Sequence, residues 1–203
     1  MSAPIMHVVL TEKIWDKCFA NKDKEAFLVG TSFPDIRRLA GVDRSVTHFD
    51  DVDFGSLIGF DSFTAGFMFH SWVDQATHKY RMESAIFELF PESKFIHEGV
   101  KIFEDNYLYD KVNDWDRMIR SFESVREEEL RYGASKEVVA KWHGKLRQYF
   151  SRKPDSVEVI DSLIKEPIEV AEEIMRVAKG VKDEAKAIKI IEEYYQGFGE
   201  ELF

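Results

Sequence analysis

Apolar side chains recur every three or four residues along most of the chain, which is the spacing of one face of an α-helix. Near the amino end, Ile5, Val8, Val9 and Trp15 follow this spacing, and Pro4 suits the first turn of a helix. No segment alternates between apolar and polar residues over the length of a half-buried strand. The pattern therefore predicts an all-α protein built as a multi-helix bundle.

The helical spacing is most regular after Asp61. Besides a short helix over 24–29, we expect helices over 61–80, 81–90, 94–109, 112–132, 136–151, 156–178 and 182–197. Pro167 should end or kink the helix that contains it, because proline lacks a backbone N–H and clashes with the preceding turn. Residues 41–59 keep no period and are predicted to form a long loop with one short turn, and long loops in compact domains are often functional.

Length and composition narrow the class of protein. The chain has 203 residues, 44% hydrophobic and 33% charged, which suits a single globular domain. A net charge of -10 argues against a nucleic-acid-binding protein, since those need a basic surface. No apolar run approaches the ~20 residues of a membrane span. The apolar stretch near the amino end is interrupted at Thr11 and no basic segment precedes it, so we expect no signal peptide and a cytoplasmic location.

A stripe of polar residues lies on the most aromatic predicted helix. His70, Asp74 and His78 follow one another at intervals of four, so they point to nearly the same face as Phe63 and Phe67. A buried carboxylate without a partner is costly, and a metal ion is one partner that would satisfy it. A hydrogen-bonded polar group in an otherwise apolar core is the plainer alternative.

Four further residues before position 100 extend this set of candidate metal ligands: His7, Asp35, His48 and His97. Mixtures of imidazole and carboxylate suit zinc, with iron or manganese as alternatives. A site for two ions needs about this many ligands and usually one bridging carboxylate, for which Asp74 is the natural candidate. Taken singly, Asp35 could be a helix N-cap and the three histidines could be core, loop and helix-surface residues.

The order of these residues resembles the zinc-dependent phospholipase C-like family, within the wider group of helical phospholipase C and P1-type nuclease folds. The resemblance covers roughly residues 5–110 and is carried by four segments: "MHVVLTE", "FLVGTSFPDI", "SVTHF" and "AGFMFHSWVDQATH". It implies an all-α bundle that holds two or more metal ions between helices and hydrolyses phosphoesters. It also implies that 5–110 is the metal-binding core of one domain over 1–203, and 111–203 a C-terminal helical extension.

The resemblance also implies a role for each residue. Asp35, His48, His70 and Asp74 would hold one ion, and Asp35 would also orient the attacking water as the catalytic residue. Asp74 would bridge to a second ion held by His78 and His97, and His7 would belong to a third site or complete one of the others. The family has an acidic ligand one turn after its late histidine, whereas this chain has Lys101, so Glu104 or Asp105 would have to replace that acid.

Two functions from different classes remain open on these grounds. The first is a metal-dependent hydrolase, a phosphoesterase acting on a small-molecule or lipid-like substrate. The alternative is a non-catalytic helical metal-binding or protein-interaction protein, in which the Glu/Lys-rich helices after residue 112 could form a homodimer surface. A helical di-iron protein ranks last, because the chain has no Glu-x-x-His motif. His143 stands apart from the other histidines and is not expected to bind metal.

Overall fold

The computed structural model describes residues 3–164 and 166–200, and every regular element among them is helical. The α-helices are α1 (Pro4–Cys18), α2 (Lys24–Ser32), α3 (Arg37–Ala40), α4 (Arg44–Thr47), α5 (Ser62–Glu83), α6 (Ile96–Leu108), α7 (Trp115–Arg120), α8 (Lys136–Phe150), α9 (Val157–Leu163), α10 (Ile168–Lys179) and α11 (Glu184–Gly197). Short 3-10 helices connect several of them, at Pro34–Ile36, Phe54–Gly59, Ile86–Leu89, Tyr109–Lys111 and Glu127–Tyr132. No strand occurs in these two ranges, so the all-α prediction is confirmed.

The long helix α5 runs through the centre of the fold. It begins after Asp61, whose side chain accepts a 2.9 Å hydrogen bond from the backbone N–H of Thr64 and so caps the helix. Helix α2 packs closely along it, and two glycines face the crossing point. A Cβ atom at Gly66 would overlap the carbonyl of Phe27, and one at Gly30 would overlap the carbonyl of Phe63. This close approach brings the last turn of α2 beside the middle of α5.

Several predicted helices are present with small shifts of their ends, namely those near 61–80, 94–109, 136–151 and 182–197. The predicted break at Pro167 is also confirmed, since the chain forms α9 and α10 there and Pro167 is the N-cap of α10. Residues 41–59 contain more structure than the expected single turn. Two residues in this stretch, Asp43 and Asp53, each accept a backbone N–H bond with their side chain and start α4 and a 3-10 helix.

Two predicted helices are wrong. The segment 81–90 is not an independent helix, because α5 continues to Glu83 and Ala85 then adopts a left-handed conformation with φ 52°. The segment 112–132 is divided into α7 and a 3-10 helix. Within the 3-10 helix, Glu129 is buried. Its carboxylate accepts the backbone N–H of Arg126 and contacts His143 at 2.7 Å. These tertiary contacts outweigh the helical period of the sequence.

The helices after residue 111 share one hydrophobic core with those before it. That core extends from Ile5 to Phe198. Gly99 of α6 packs directly under Val177 of α10, where a Cβ atom would overlap the valine side chain. In the described part of the chain no helix has the length and apolar character that a bilayer crossing requires.

Candidate metal centre

Five of the seven candidate ligands converge in the structure. His7 comes from α1, Asp35 from the 3-10 turn after α2, His48 from the residue that follows α4, and His70 and Asp74 from α5. They form two overlapping groups, one of His7, His70 and Asp74 and one of Asp35, His48 and His70. Within each group the ligand atoms lie within 4.8 Å of one another, so the fold gathers four separate chain segments around one point.

The spacing of four ligand atoms matches that expected around a small cation. His48 Nε2 lies 3.2 Å from His70 Nε2, 3.7 Å from Asp35 Oδ1 and 3.7 Å from Asp74 Oδ2. His70 Nε2 lies 3.7 Å from Asp74 Oδ2. The three nitrogen–oxygen distances are too long for hydrogen bonds. Ligands held about 2.0–2.2 Å from a tetrahedral zinc ion are about 3.3–3.6 Å apart, so each of these four distances lies within about 0.1 Å of that range.

The orientation of His70 favours a cation between the two imidazoles. Its Nδ1 lies 2.8 Å from the backbone carbonyl of Thr31, at the end of α2. A carbonyl can only accept, so Nδ1 carries a proton and leaves Nε2, which faces His48, as the ring nitrogen that can bind a metal. Histidines that bind metals commonly donate their other N–H to a carbonyl in this way. His48 is held in turn by the hydroxyl of Thr47, 2.9 Å from its Nδ1.

Asp74 faces both groups of ligands, one with each carboxylate oxygen. Its Oδ2 belongs to the set around His48 and His70, whereas its Oδ1 lies 3.5 Å from His7 Nε2. The ring of His7 stacks on that of His70 at 4.0 Å, with 8° between their planes. Both ring nitrogens of His7 are buried without a hydrogen-bond partner among the residues described. Buried polar atoms are rarely left without a partner, and a metal ion bound between His7 Nε2 and Asp74 Oδ1 would satisfy the Nε2 atom.

The cluster has the protonation states that metal ligands need. Burial, reinforced by His70, lowers the pKa of His7 to about 4, so the ring is neutral near pH 7. Burial also lowers the pKa of His48. For Asp35 and Asp74 burial would raise the pKa, but nearby histidines outweigh it and hold both values below the usual range, so both carboxylates are ionised. Two negative charges beside the neutral ring of His7 favour a divalent cation.

One ligand connects this cluster to solvent. The side chains of His7, His70 and Asp74 are at most 7% exposed, whereas that of Asp35 is 21% exposed. Asp35 borders a cavity of about 440 Å³ that lies between the cluster and the C-terminal helices. The cavity wall is largely apolar, from residues such as Leu39, Ile102, Trp142, Ile160 and Ile174, and carries a few cationic side chains. The cluster is therefore closed on one side and open to a ligand-sized space on the other.

The other two candidate histidines lie outside this cluster. His78 and His97 are exposed, and the ring of His97 packs against Phe87 at 4.5 Å. The reason for His78 is geometric, because two steps of four residues rotate a side chain by about 80° around a helix, relative to the position of His70. The described residues thus form no second group of ligands around His78 and His97.

The acids proposed as partners of His97 have other roles. The Glu104 carboxylate accepts hydrogen bonds from the Arg81 guanidinium and, at 2.7 Å, from the Tyr80 hydroxyl. Asp105 accepts the backbone N–H groups of Ile5 and Met6 at the start of α1. Both carboxylates are fully buried, so neither is available to His97.

Two buried polar contacts, one in the centre and one apart from it, had no signal in the sequence pattern. The Thr31 contact uses a backbone carbonyl, which any residue would supply, and only the close packing of α2 on α5 brings it to His70. The buried His143–Glu129 pair also comes from tertiary packing, although the expectation that His143 lies apart from the metal candidates agrees with it.

Comparisons with protein-family models, with curated proteins and with solved structures found no match to this chain.

Proposed function

We propose that the protein is a metal-dependent hydrolase that cleaves phosphoesters at the cluster of Asp35, His48, His70 and Asp74, with His7 beside it. The observation that carries this proposal is a set of four distances of 3.2–3.7 Å between these ligand atoms. Three of the four distances, those between nitrogen and oxygen, are too long for hydrogen bonds. Two nitrogen and two oxygen ligands suit zinc, and iron or manganese are the alternatives.

The number of ions follows from Asp74. Its Oδ2 belongs to the four-ligand set, and its Oδ1 faces the otherwise unbonded Nε2 of His7. We therefore propose one principal ion on the four ligands and a second position that shares Asp74 with His7. The resemblance to the phospholipase C-like family agrees with a shared carboxylate at this residue.

The chemistry of hydrolysis requires an activated water and access for a substrate. A bound divalent ion supplies the activation, since it lowers the pKa of water to about 7 and withdraws charge from a phosphoryl group. Asp35 is the most exposed of the ligands and borders the cavity, so its carboxylate can accept a hydrogen bond from water there and orient it. His70 is held rigidly by Thr31, which keeps the cluster preorganised.

The wall of the cavity favours an anionic substrate. Arg38, Lys101 and Lys145 carry positive charge along it, against the acids Asp35, Glu98 and Glu166. A divalent ion bound by Asp35 would give this side of the cavity a net positive charge, which attracts a phosphoester more than a neutral ester or amide. The substrate we propose is a small or lipid-like phosphoester that enters from this side.

A non-catalytic metal-binding protein is the second candidate, and the burial of His7, His70 and Asp74 favours it. Structural metal sites are closed by protein ligands on all sides, whereas catalytic sites keep one position open. The exposure of Asp35 to the cavity favours the catalytic reading.

The test is metal content and hydrolysis measured on the same samples, purified without a polyhistidine tag. Wild type is compared with Asp74→Asn and with Asp50→Asn, a matched change at an exposed aspartate. We expect wild type and Asp50→Asn to retain at least one metal equivalent and to hydrolyse p-nitrophenyl phosphate or bis-p-nitrophenyl phosphate. Asp74→Asn should lose metal and activity while its circular dichroism spectrum stays helical.

The outcomes separate the two candidates. Wild-type protein that holds metal tightly but hydrolyses no phosphoester supports the non-catalytic function. Protein that takes up no metal, even after reconstitution, rejects both and leaves an ordinary polar core at this position.

A further inference from the structure

Lys101 is an unusual cation because it is half-buried in the cavity wall and its ammonium has no hydrogen-bonded acid beside it. It lies on α6, and its side chain is 15% exposed. The nearest acid is Glu98, whose Oε1 is 3.9 Å from the Lys101 ammonium, beyond hydrogen-bond distance. Across the described residues, Lys101 Nζ makes no hydrogen bond. A half-buried ammonium at the wall of a cavity therefore has its donors available to a ligand there.

The metal cluster determines what that ligand can be. Burial lowers the pKa of Lys101, and the negative charges of Glu98, Asp35 and Asp74 act in the opposite direction. When a divalent ion neutralises Asp35 and Asp74, Lys101 loses that compensation. The ammonium then attracts an anion in the cavity next to the metal ligands.

The other cations of the wall are less suited to this role. The ammonium of Lys145 donates to the carbonyls of Ser162 and Ile164 at 2.5 and 3.3 Å, which uses two of its three N–H donors and holds it against α9. Arg38 is exposed at the rim, where solvent screens its charge. Lys101 is thus the cation that lies deepest and keeps its donors available.

We propose that Lys101 binds the phosphoryl oxygens of a phosphomonoester dianion, whose apolar organic part occupies the surrounding cavity. This inference rests on the proposed function and names its substrate class. A phosphodiester carries one negative charge and a phosphomonoester up to two, so the additional cation favours the monoester. The cavity of about 440 Å³, with Leu39, Ile102 and Trp142 in its wall, accommodates an aromatic or short alkyl group.

The test uses three phosphonates that cannot be hydrolysed, measured by titration calorimetry with the zinc-loaded protein in mildly alkaline buffer. Phenylphosphonate is a dianion with an apolar ring, methylphosphonate is a dianion without one, and methyl phenylphosphonate keeps the ring but has one charge. The proteins are wild type, Lys101→Gln, Lys101→Arg and Lys141→Gln, the last being an exposed lysine on α8 and the matched control. Metal content is measured on every sample.

Wild type should bind phenylphosphonate more tightly than either of the other probes. Lys101→Gln should weaken phenylphosphonate by about tenfold or more, the loss expected for a hydrogen bond to a charged group, and should remove the preference for the dianion. Lys101→Arg should keep much of the affinity for phenylphosphonate and much of the preference for the dianion, and Lys141→Gln should match wild type.

Two results would overturn the inference. One is equal affinity of wild type and Lys101→Gln for phenylphosphonate, and the other is a wild-type preference for the monoanion or for methylphosphonate. Either result with full metal content rejects the role of Lys101 and leaves the metal centre standing. Absence of metal from wild type rejects the proposed function itself.

Discussion

The carboxylate of Asp105, on α6, accepts a 2.8 Å hydrogen bond from the backbone N–H of Met6, in the first turn of α1. It also accepts the N–H of Ile5 at 3.0 Å and the hydroxyl of Tyr149 at 2.9 Å. The first N–H groups of a helix have no partner within the helix, and the N-cap residue Ala3 offers no side-chain acceptor. Asp105 therefore caps α1 from a different helix and fixes the position of His7, the residue after Met6.

Removal of this carboxylate should destabilise the fold. We expect Asp105→Ala to lower the free energy of unfolding by about 2–4 kcal/mol, because it removes a helix cap and leaves buried donors unsatisfied. Urea denaturation followed by circular dichroism measures the effect. Asp110→Ala is the control, since Asp110 pairs with Lys153 at the surface and its loss should cost less than about 1 kcal/mol. Similar losses in the two variants would contradict the role of Asp105.

The same residue should make stability depend on pH. Burial raises the pKa of Asp105 from 3.8 to about 7, although the N–H groups of Met6 and Ile5 oppose the shift. Between these values the folded protein holds a proton that the unfolded chain has released, so the contribution of Asp105 to stability falls as pH rises through this window. The Asp105→Asn variant has no carboxyl group at this position, so it neither binds nor releases this proton.

The stability advantage of wild type over Asp105→Asn should therefore be larger at about pH 5 than at about pH 8, by roughly 2–3 kcal/mol. Urea denaturation of both proteins without metal, at the two pH values, gives this difference. Other titrating groups, including His7, are common to both proteins and cancel. A difference that stays constant would mean that Asp105 is ionised throughout.

The crossing of α2 and α5 should not tolerate a larger residue at Gly66. A methyl group there would overlap the carbonyl of Phe27, so Gly66→Ala should cost about 1–3 kcal/mol of stability or more. It should also weaken metal binding, because the shift moves the Thr31 carbonyl that orients His70.

The matched control for this substitution is Gly144→Ala, on α8. A methyl group at Gly144 has nothing within 4 Å, so the change should preserve metal affinity and add up to about 1 kcal/mol of stability. Thermal unfolding and a zinc titration of both variants test the pair. Equal behaviour of the two alanine variants would show that the crossing is not tightly packed.

Metal binding should distinguish the histidines of the cluster from those outside it. His48→Gln is expected to lower zinc affinity by more than about 100-fold, since even the loss of a residue that orients a ligand costs about 10- to 100-fold. His78→Gln and His97→Gln should keep the affinity and metal content of wild type, because both side chains are exposed and outside the ligand groups. Loss of one metal equivalent in either variant would instead support the two-histidine site expected from the family resemblance.

Local spacing predicts some of this structure reliably. His70 and Asp74 are four residues apart, about one helical turn, on a strongly periodic segment, and the structure brings both into the cluster. The same rule also selects His78, which is exposed, because the angular drift over two steps exceeds what the cluster allows. Periodicity identifies a helical face but not how far a site extends along it.

Long-range packing accounts for what the sequence pattern missed. His7, Asp35 and His48 lie on three other elements, and only their order relative to a known family suggested that they meet. The break inside 112–132 depends on the burial of Glu129 against His143, a contact between residues that no local rule connects. In the sequence, Lys101 stands out only because the family has an acidic ligand at this position. The structure adds that Lys101 lies in the wall of the cavity, where it can contact a ligand.

The cavity has a consequence for how this protein can diversify. Every residue of the ligand cluster lies within the first 74 positions, whereas much of the opposite wall, including Trp142, Lys145, Ile160 and Ile174, belongs to α8, α9 and α10. The candidate metal ligands and much of the cavity wall are thus encoded by separate stretches of the chain. Under the function proposed above, substitutions in the later stretch would change which molecules fit without altering a metal-binding atom, so new selectivities would be accessible by mutation while the chemistry is inherited intact.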